Sequence, residues 1–101
     1  MVVNISPDGR AYSLGKINST MHVYNTNNPP GRVTNYDITI TSMFYRSVDV
    51  LPGHSDQYAP NDNAVYIQNN GPSKLQVLYV EELISPEDAG WKEVKKMPKK
   101  F

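Results

Sequence analysis

Residues 27–53, NNPPGRVTNYDITITSMFYRSVDVLPG, decide the fold class. After the Pro-Pro-Gly turn the even positions read Tyr36, Ile38, Ile40, Ser42, Phe44, Arg46, Val48 and Val50. The odd positions read Asn35, Asp37, Thr39, Thr41, Met43, Tyr45, Ser47 and Asp49. A period of two puts these sets on opposite faces of a strand. At about 3.3 Å per residue one unbroken strand would run about 50 Å, against the usual five or six residues. The stretch therefore reads as two strands joined by a bend or bulge near Ser42 and Met43, where small Ser42 interrupts the even face. Its first half is ordinary half-buried sheet. Its second half sets Met43 and Tyr45 against Phe44 and Val48, more apolar surface than a small domain hides, and is the expected contact with a partner.

Outward from this stretch the texture stays β. VVNIS (2–6) reads as a strand stopped by the turn phrase PDGR. AYSLGKINSTMHVYN alternates, broken only at Gly15, which predicts a strand over about 16–25 and a weaker one over 11–14. Asn25 to Gly31 is a loop rich in Asn and Pro. LPGHSDQYAPNDN (51–63) holds two prolines, a glycine and a run of polar residues, and reads as a 13-residue loop of functional size. AVYIQ and KLQVLYVEEL flank Asn69-Asn70-Gly71-Pro72 and predict a hairpin, with Gly71 in the positive-φ position of its turn. After Leu83, Ser85-Pro86-Glu87-Asp88 has the N-cap, first-turn proline and carboxylates of a helix start. A short helix over about 86–96 follows, with Trp91 and Val94 on one face and Pro98 ending it. The expected architecture is all-β: a small antiparallel β-sandwich or barrel of about six or seven strands over 1–84. Residues 85–101 form a short helix and lysine-rich tail, either part of the same domain or a docking arm.

Composition bounds the rest. The 101 residues and 11.4 kDa suit one domain, and 39% hydrophobic residues with a mean hydropathy of -0.54 make it a polar one. Ten basic and ten acidic side chains leave no net field to steer the chain toward nucleic acid or membrane. The absence of cysteine excludes disulfides, thiolate nucleophiles and cysteine-ligated zinc. MVVNISPDGR has no basic, apolar leader, and no run approaches the roughly 20 apolar residues of a membrane span. The expectation is a soluble protein of cytoplasmic synthesis with no membrane contact.

No chemical signature stands out. His54, Ser55 and Asp56 are sequence neighbours, which rarely converge as a triad. His22, His54 and Asp56 make a thin metal-ligand set, and Asp56, Asn61, Asp62 and Asn63 lack the order of a calcium loop. Glu81-Glu82 and Glu87-Asp88 are adjacent pairs that do not flank one substrate. The expectation is no enzyme, no cofactor and no metal. Five of the ten basic residues fall in the last ten positions beside Trp91 and Phe101, which admits nucleic-acid contact but favours docking on a protein partner or sister subunit. Seven tyrosines on strands and loops have the amphipathic character of interfaces.

The leading expectation is a structural or assembly protein making homo- or hetero-oligomeric contacts, with the texture of small virion components such as capsid decoration, neck or fibre-adaptor proteins. Met43, Phe44, Tyr45, Tyr58, Trp91, Val94, Lys95, Lys96 and Phe101 are its candidate interface. The alternative is a small ligand- or carbohydrate-binding module using Tyr58 and the 51–63 loop as a platform.

Overall fold

The computed structural model describes residues 1–80, 92–94 and 97. Within them the chain forms β1 (Val2–Ile5), β2 (Ala11–Ile17), β3 (Met21–Asn25), β4 (Thr34–Ile40), β5 (Phe44–Val50), β6 (Ser55–Tyr58), β7 (Asn63–Asn69), β8 (Leu75–Leu78) and β9 (Lys92–Val94). One antiparallel sheet has the order β1-β8-β3-β6 and the other β5-β4-β7-β2-β9. Strand 1 thus pairs with 8, 2 with 7, 3 with 6 and 4 with 5. A long hairpin folded over on itself into two sheets gives that pairing, which is the jelly-roll topology. The fold class is all-β, as the alternation implied.

Each strand turns its apolar set inward. Tyr36, Ile38 and Ile40 of β4 are fully buried, as are Val65 and Ile67 of β7, and from the facing sheet Met21, Val23, Leu75 and Val77. Together with Val3, Ile5, Tyr12, Leu14, Ile17, Val50 and Tyr79 they make one core between the sheets. At about 25 cal/mol per Å² of apolar surface removed from water, this layer is the main stabilising term. Two buried amides tie the sheets together. Asn69 Nδ2 at the end of β7 donates to Ile5 O of β1 at 3.1 Å and to Ser73 O at 2.8 Å, while its Oδ1 accepts from Gly71 N at 3.1 Å. Asn25 Nδ2 of β3 donates to Val50 O of β5 at 2.9 Å, and its Oδ1 accepts from Asn27 N.

Three sequence expectations are corrected. The strand predicted over 16–25 is two strands in different sheets, with a corner at 18–20. Ile17, Met21 and Val23 are all buried, so the alternation keeps its phase through the corner and periodicity alone cannot see it. The 51–63 loop contains β6, whose polar SDQY reads as a loop yet forms an edge strand against β3. The predicted hairpin around residues 69–72 is instead a crossover between the two sheets, since β7 and β8 lie in different ones. Gly71 is needed there for close approach rather than for positive φ: a Cβ on it would meet Asn35 N and Thr34 Cα at 2.7 Å. Gly15, by contrast, has φ +74° and sits at the register shift of β2 against β7, so the break in alternation marked a bulge. The helix predicted over 86–96 lies outside the described residues except at 92–94. There the chain is strand β9, paired with Ala11–Ser13 of β2.

Candidate functional site

Two regions bring together side chains that the strand chemistry alone does not require. The first is the seam between β5 and β6, the edge strands of the two sheets on one side of the sandwich. Even positions of β5 and of β6 point inward, because Arg46 pairs with buried Ile38 and Asp56 with buried Val23. Tyr36 OH donates to Asp56 Oδ2 at 2.9 Å and shares a hydrogen bond with Tyr58 OH at 2.8 Å. Tyr58 packs on Phe44, ring centroids 5.9 Å apart, and the Arg46 guanidinium lies 5.0 Å from the Phe44 centroid. Burial, reinforced by the hydrogen bond to Tyr58, pushes the Tyr36 hydroxyl far above the ordinary phenol range. Burial likewise raises that of Tyr58. Both phenols therefore stay protonated and act as neutral links between the sheets.

The chemistry of this seam is structural. A charge on each edge strand, exposed Arg46 on β5 and inward-turned, half-buried Asp56 on β6, discourages edge-to-edge pairing with another chain. Tyr36→Phe is expected to cost about 1–2 kcal/mol, because Asp56 and Tyr58 lose a partner inside a half-buried network. Urea denaturation checks this, and an unchanged midpoint would mean that water replaces the hydroxyl without loss.

The second region lies at one end of the outer face of the four-stranded sheet. Val2 and His22 both pair with Leu78, which sets the three side by side across β1, β8 and β3. The ladder continues to Met1 and Tyr79: Tyr79 N donates to Met1 O at 3.0 Å, the Met1 amine donates to Tyr79 O, and Tyr79 OH reaches Met1 Sδ at 3.2 Å. The Ser19 hydroxyl accepts from Val80 N at 3.0 Å and donates to Val80 O at 3.1 Å, so the backbone at Val80 is held from both sides. Met1, Val2, Thr20, His22, Leu78 and Val80 surround a hollow of about 280 Å³. Among the described residues six large hydrophobic side chains are exposed, and Met1, Val2, Leu78 and Val80 are four of them. Val80 is the most exposed, at 68%.

The sequence-derived candidates divide accordingly. Phe44 and Tyr58 meet each other in the seam and pack against the core, so Tyr58 is not an outward platform. Met43 is exposed in the β4–β5 turn, and Tyr45 is half-buried on the outer face of the five-stranded sheet, beside Thr39. Val94 is half-buried on β9, at the opposite edge of that sheet from β5. Trp91, Lys95, Lys96 and Phe101 lie outside the described residues. Val2, Leu78 and Val80 were not among the candidates. Their signal in the sequence is the break of alternation in Leu78-Tyr79-Val80, which puts apolar residues on both faces of the strand.

His22 and His54 are remote from one another in role: His22 borders the apolar hollow, and His54 is exposed in the turn before β6. Among the described residues no three His, Asp or Glu side chains gather as a metal-ligand set, and no helix is long and apolar enough to cross a membrane. Comparison of the chain with family models, with curated proteins and with solved structures gave no match.

Proposed function

We propose that this chain is a non-enzymatic structural protein that assembles with copies of itself, in the role of a small virion component such as a capsid decoration, neck or fibre-adaptor protein. The observation that carries the reading is the cluster of Met1, Val2, Leu78 and Val80 on one outer sheet face. Apolar side chains held rigidly in the open are a standing cost in water unless a partner covers them. The side chains around the hollow carry no carboxylate, lysine or arginine, and the one charge on its rim, the Met1 ammonium, is held on Tyr79 O, so the surface offers its own copy little like-charge repulsion across a two-fold axis. Protruding Val80 beside a hollow suits such self-complementary contact. The charges of the β5–β6 seam, Arg46 and Asp56, favour association through this face over strand addition at that edge. The jelly roll supports the virion role as an analogy of fold, since capsid proteins, lectins and cupins all use it.

The test is a double substitution, Leu78→Asp with Val80→Asp, compared with Met43→Asp and Leu51→Asp, which carry the other two exposed hydrophobics. The first pair is expected to abolish the oligomer with little change in melting temperature, because both side chains are exposed. The second pair is expected to leave it intact. An oligomer that survives Leu78→Asp with Val80→Asp would overturn the assignment of this surface.

A further inference from the structure

The chain contains one Asn-Gly step, Asn70-Gly71, and one Asp-Gly step, Asp8-Gly9. At such steps a chain can modify itself, because glycine has no side chain to shield its nitrogen from the carbonyl carbon of the preceding side chain. The fold brings the two steps to one corner: a Cβ on Gly9 would lie 3.9 Å from Asn70 Oδ1. It also ties both glycine nitrogens to the same residue. Gly9 N donates to Asn69 O at 3.0 Å, and Gly71 N donates to Asn69 Oδ1 at 3.1 Å.

Asn70 is exposed to solvent but anchored. Its backbone N donates to Asn35 O at 2.9 Å, and its Nδ2 donates to Asp37 Oδ2 at 3.3 Å. Gly71 beside it is pressed on the start of β4, where a Cβ would meet Asn35 N and Thr34 Cα at 2.7 Å. Asp8 is the less reactive of the two, since its carboxylate is a poor electrophile and its oxygens accept from Arg10 N at 2.9 Å and Tyr12 OH at 2.6 Å.

We infer that Asn70 is a site of spontaneous deamidation, silenced by the folded crossover, released when this corner opens, and barring return once it has reacted. In the reaction Gly71 N gives its proton to solvent base and bonds to Asn70 Cγ, while Nδ2 takes up a proton and leaves as ammonia. The five-membered imide then adds water at either carbonyl, which leaves aspartate or isoaspartate at position 70. The imide nitrogen carries no hydrogen, so its bond to Asn69 Oδ1 is lost as the ring closes. The departing amide is the group that donates to Asp37. Both bonds must break, and the backbone must move in a space that does not admit one added carbon, so the reaction is confined to locally opened states. The product does not restore the corner. Aspartate at position 70 sets a carboxylate against that of Asp37 where an amide donated. Isoaspartate lengthens the main chain by a methylene between two nitrogens that are both bonded in the fold. Opening followed by conversion is therefore one-way, and position 70 records that a chain has been unfolded. The inference does not depend on self-association.

The experiment follows residue 70 by peptide-mapping mass spectrometry in three samples at one mildly alkaline pH and temperature: the native chain, the chain in urea, and a free peptide of residues 66–74. The urea and peptide samples are expected to convert alike, and the native chain more than roughly tenfold slower. A native rate within roughly tenfold of the peptide's would overturn the inference, as would conversion in urea that falls first on another asparagine. Asn69→Ala, where it folds, is expected to convert faster than the parent, and an unchanged rate would contradict the restraint on Gly71 N. On removal of urea, the chains that regain the native state are expected to be unmodified at position 70; converted chains that refold equally well would overturn the one-way step. Because the native and peptide samples carry no substitution, their comparison stands even if Asn69→Ala does not fold.

Discussion

Replacing Asn69 with alanine is expected to lower the stability of the domain by about 3–5 kcal/mol, among the largest effects of any single change. Asn69 is completely buried, and its amide satisfies Ile5 O, Ser73 O and Gly71 N at once. Alanine removes one side chain but orphans three backbone groups, and a buried polar group left without a partner costs about 1–3 kcal/mol. The loss is also architectural, because these bonds hold β1 of one sheet to the end of β7 in the other and fix the crossover to β8. Urea denaturation monitored by intrinsic fluorescence measures the change. A loss under about 1 kcal/mol would mean that water enters and serves the three groups, and that the amide does not hold the sheets.

The second large effect is expected at Gly71, where alanine should cost about 3 kcal/mol. Its Cβ would lie 2.7 Å from Asn35 N, Thr34 Cα and Thr34 Cγ2. Two of these atoms are backbone at the start of β4, so relief requires the crossover to move away from the sheet. Gly53→Ala is the informative control. Gly53 has φ +74° with nothing near its missing Cβ, so alanine there pays only for a left-handed backbone, about 1–2 kcal/mol. Gly71→Ala is expected to be the more damaging despite the ordinary φ of Gly71, and the reverse order would contradict the packing of the crossover. Since Gly71 N is one of the three groups served by Asn69, the double variant should lose less than the sum of the two single losses.

The class of the fold was legible because burial on one face writes a period of two into each strand. The turn between β4 and β5 was legible for a further reason. Ser42 stands at an even position where a core residue was due, and it adopts φ +64° in that turn. What periodicity cannot carry is which sheet a strand joins. Ile17 to Met21, and Asn69 to Leu75, keep the same parity across a change of sheet, so a corner looks like one strand and a crossover looks like a hairpin. β6 was hidden by the opposite effect. An edge strand with Ser55 and Gln57 outward and Asp56 turned in has no apolar alternation to read.

The site was less legible than the fold. Phe44 and Val48 looked like surplus apolar surface because the sequence does not show that Tyr58 on the edge strand of the other sheet packs on Phe44, or that Val48 packs against the core. Among the described residues the surplus is assembled from Val2 of the first strand and Met1 just before it, and from Leu78 and Val80, far from them in sequence. Only the pairing of β1 with β8 brings them together.

Self-association through the outer face of the four-stranded sheet is tested most directly by the molar mass of the unmodified chain in solution, measured by light scattering across a hundredfold range of concentration. The expected result is a species whose mass is an integral multiple of 11.4 kDa and which dissociates on dilution. A constant mass of 11.4 kDa up to the highest concentration would contradict it.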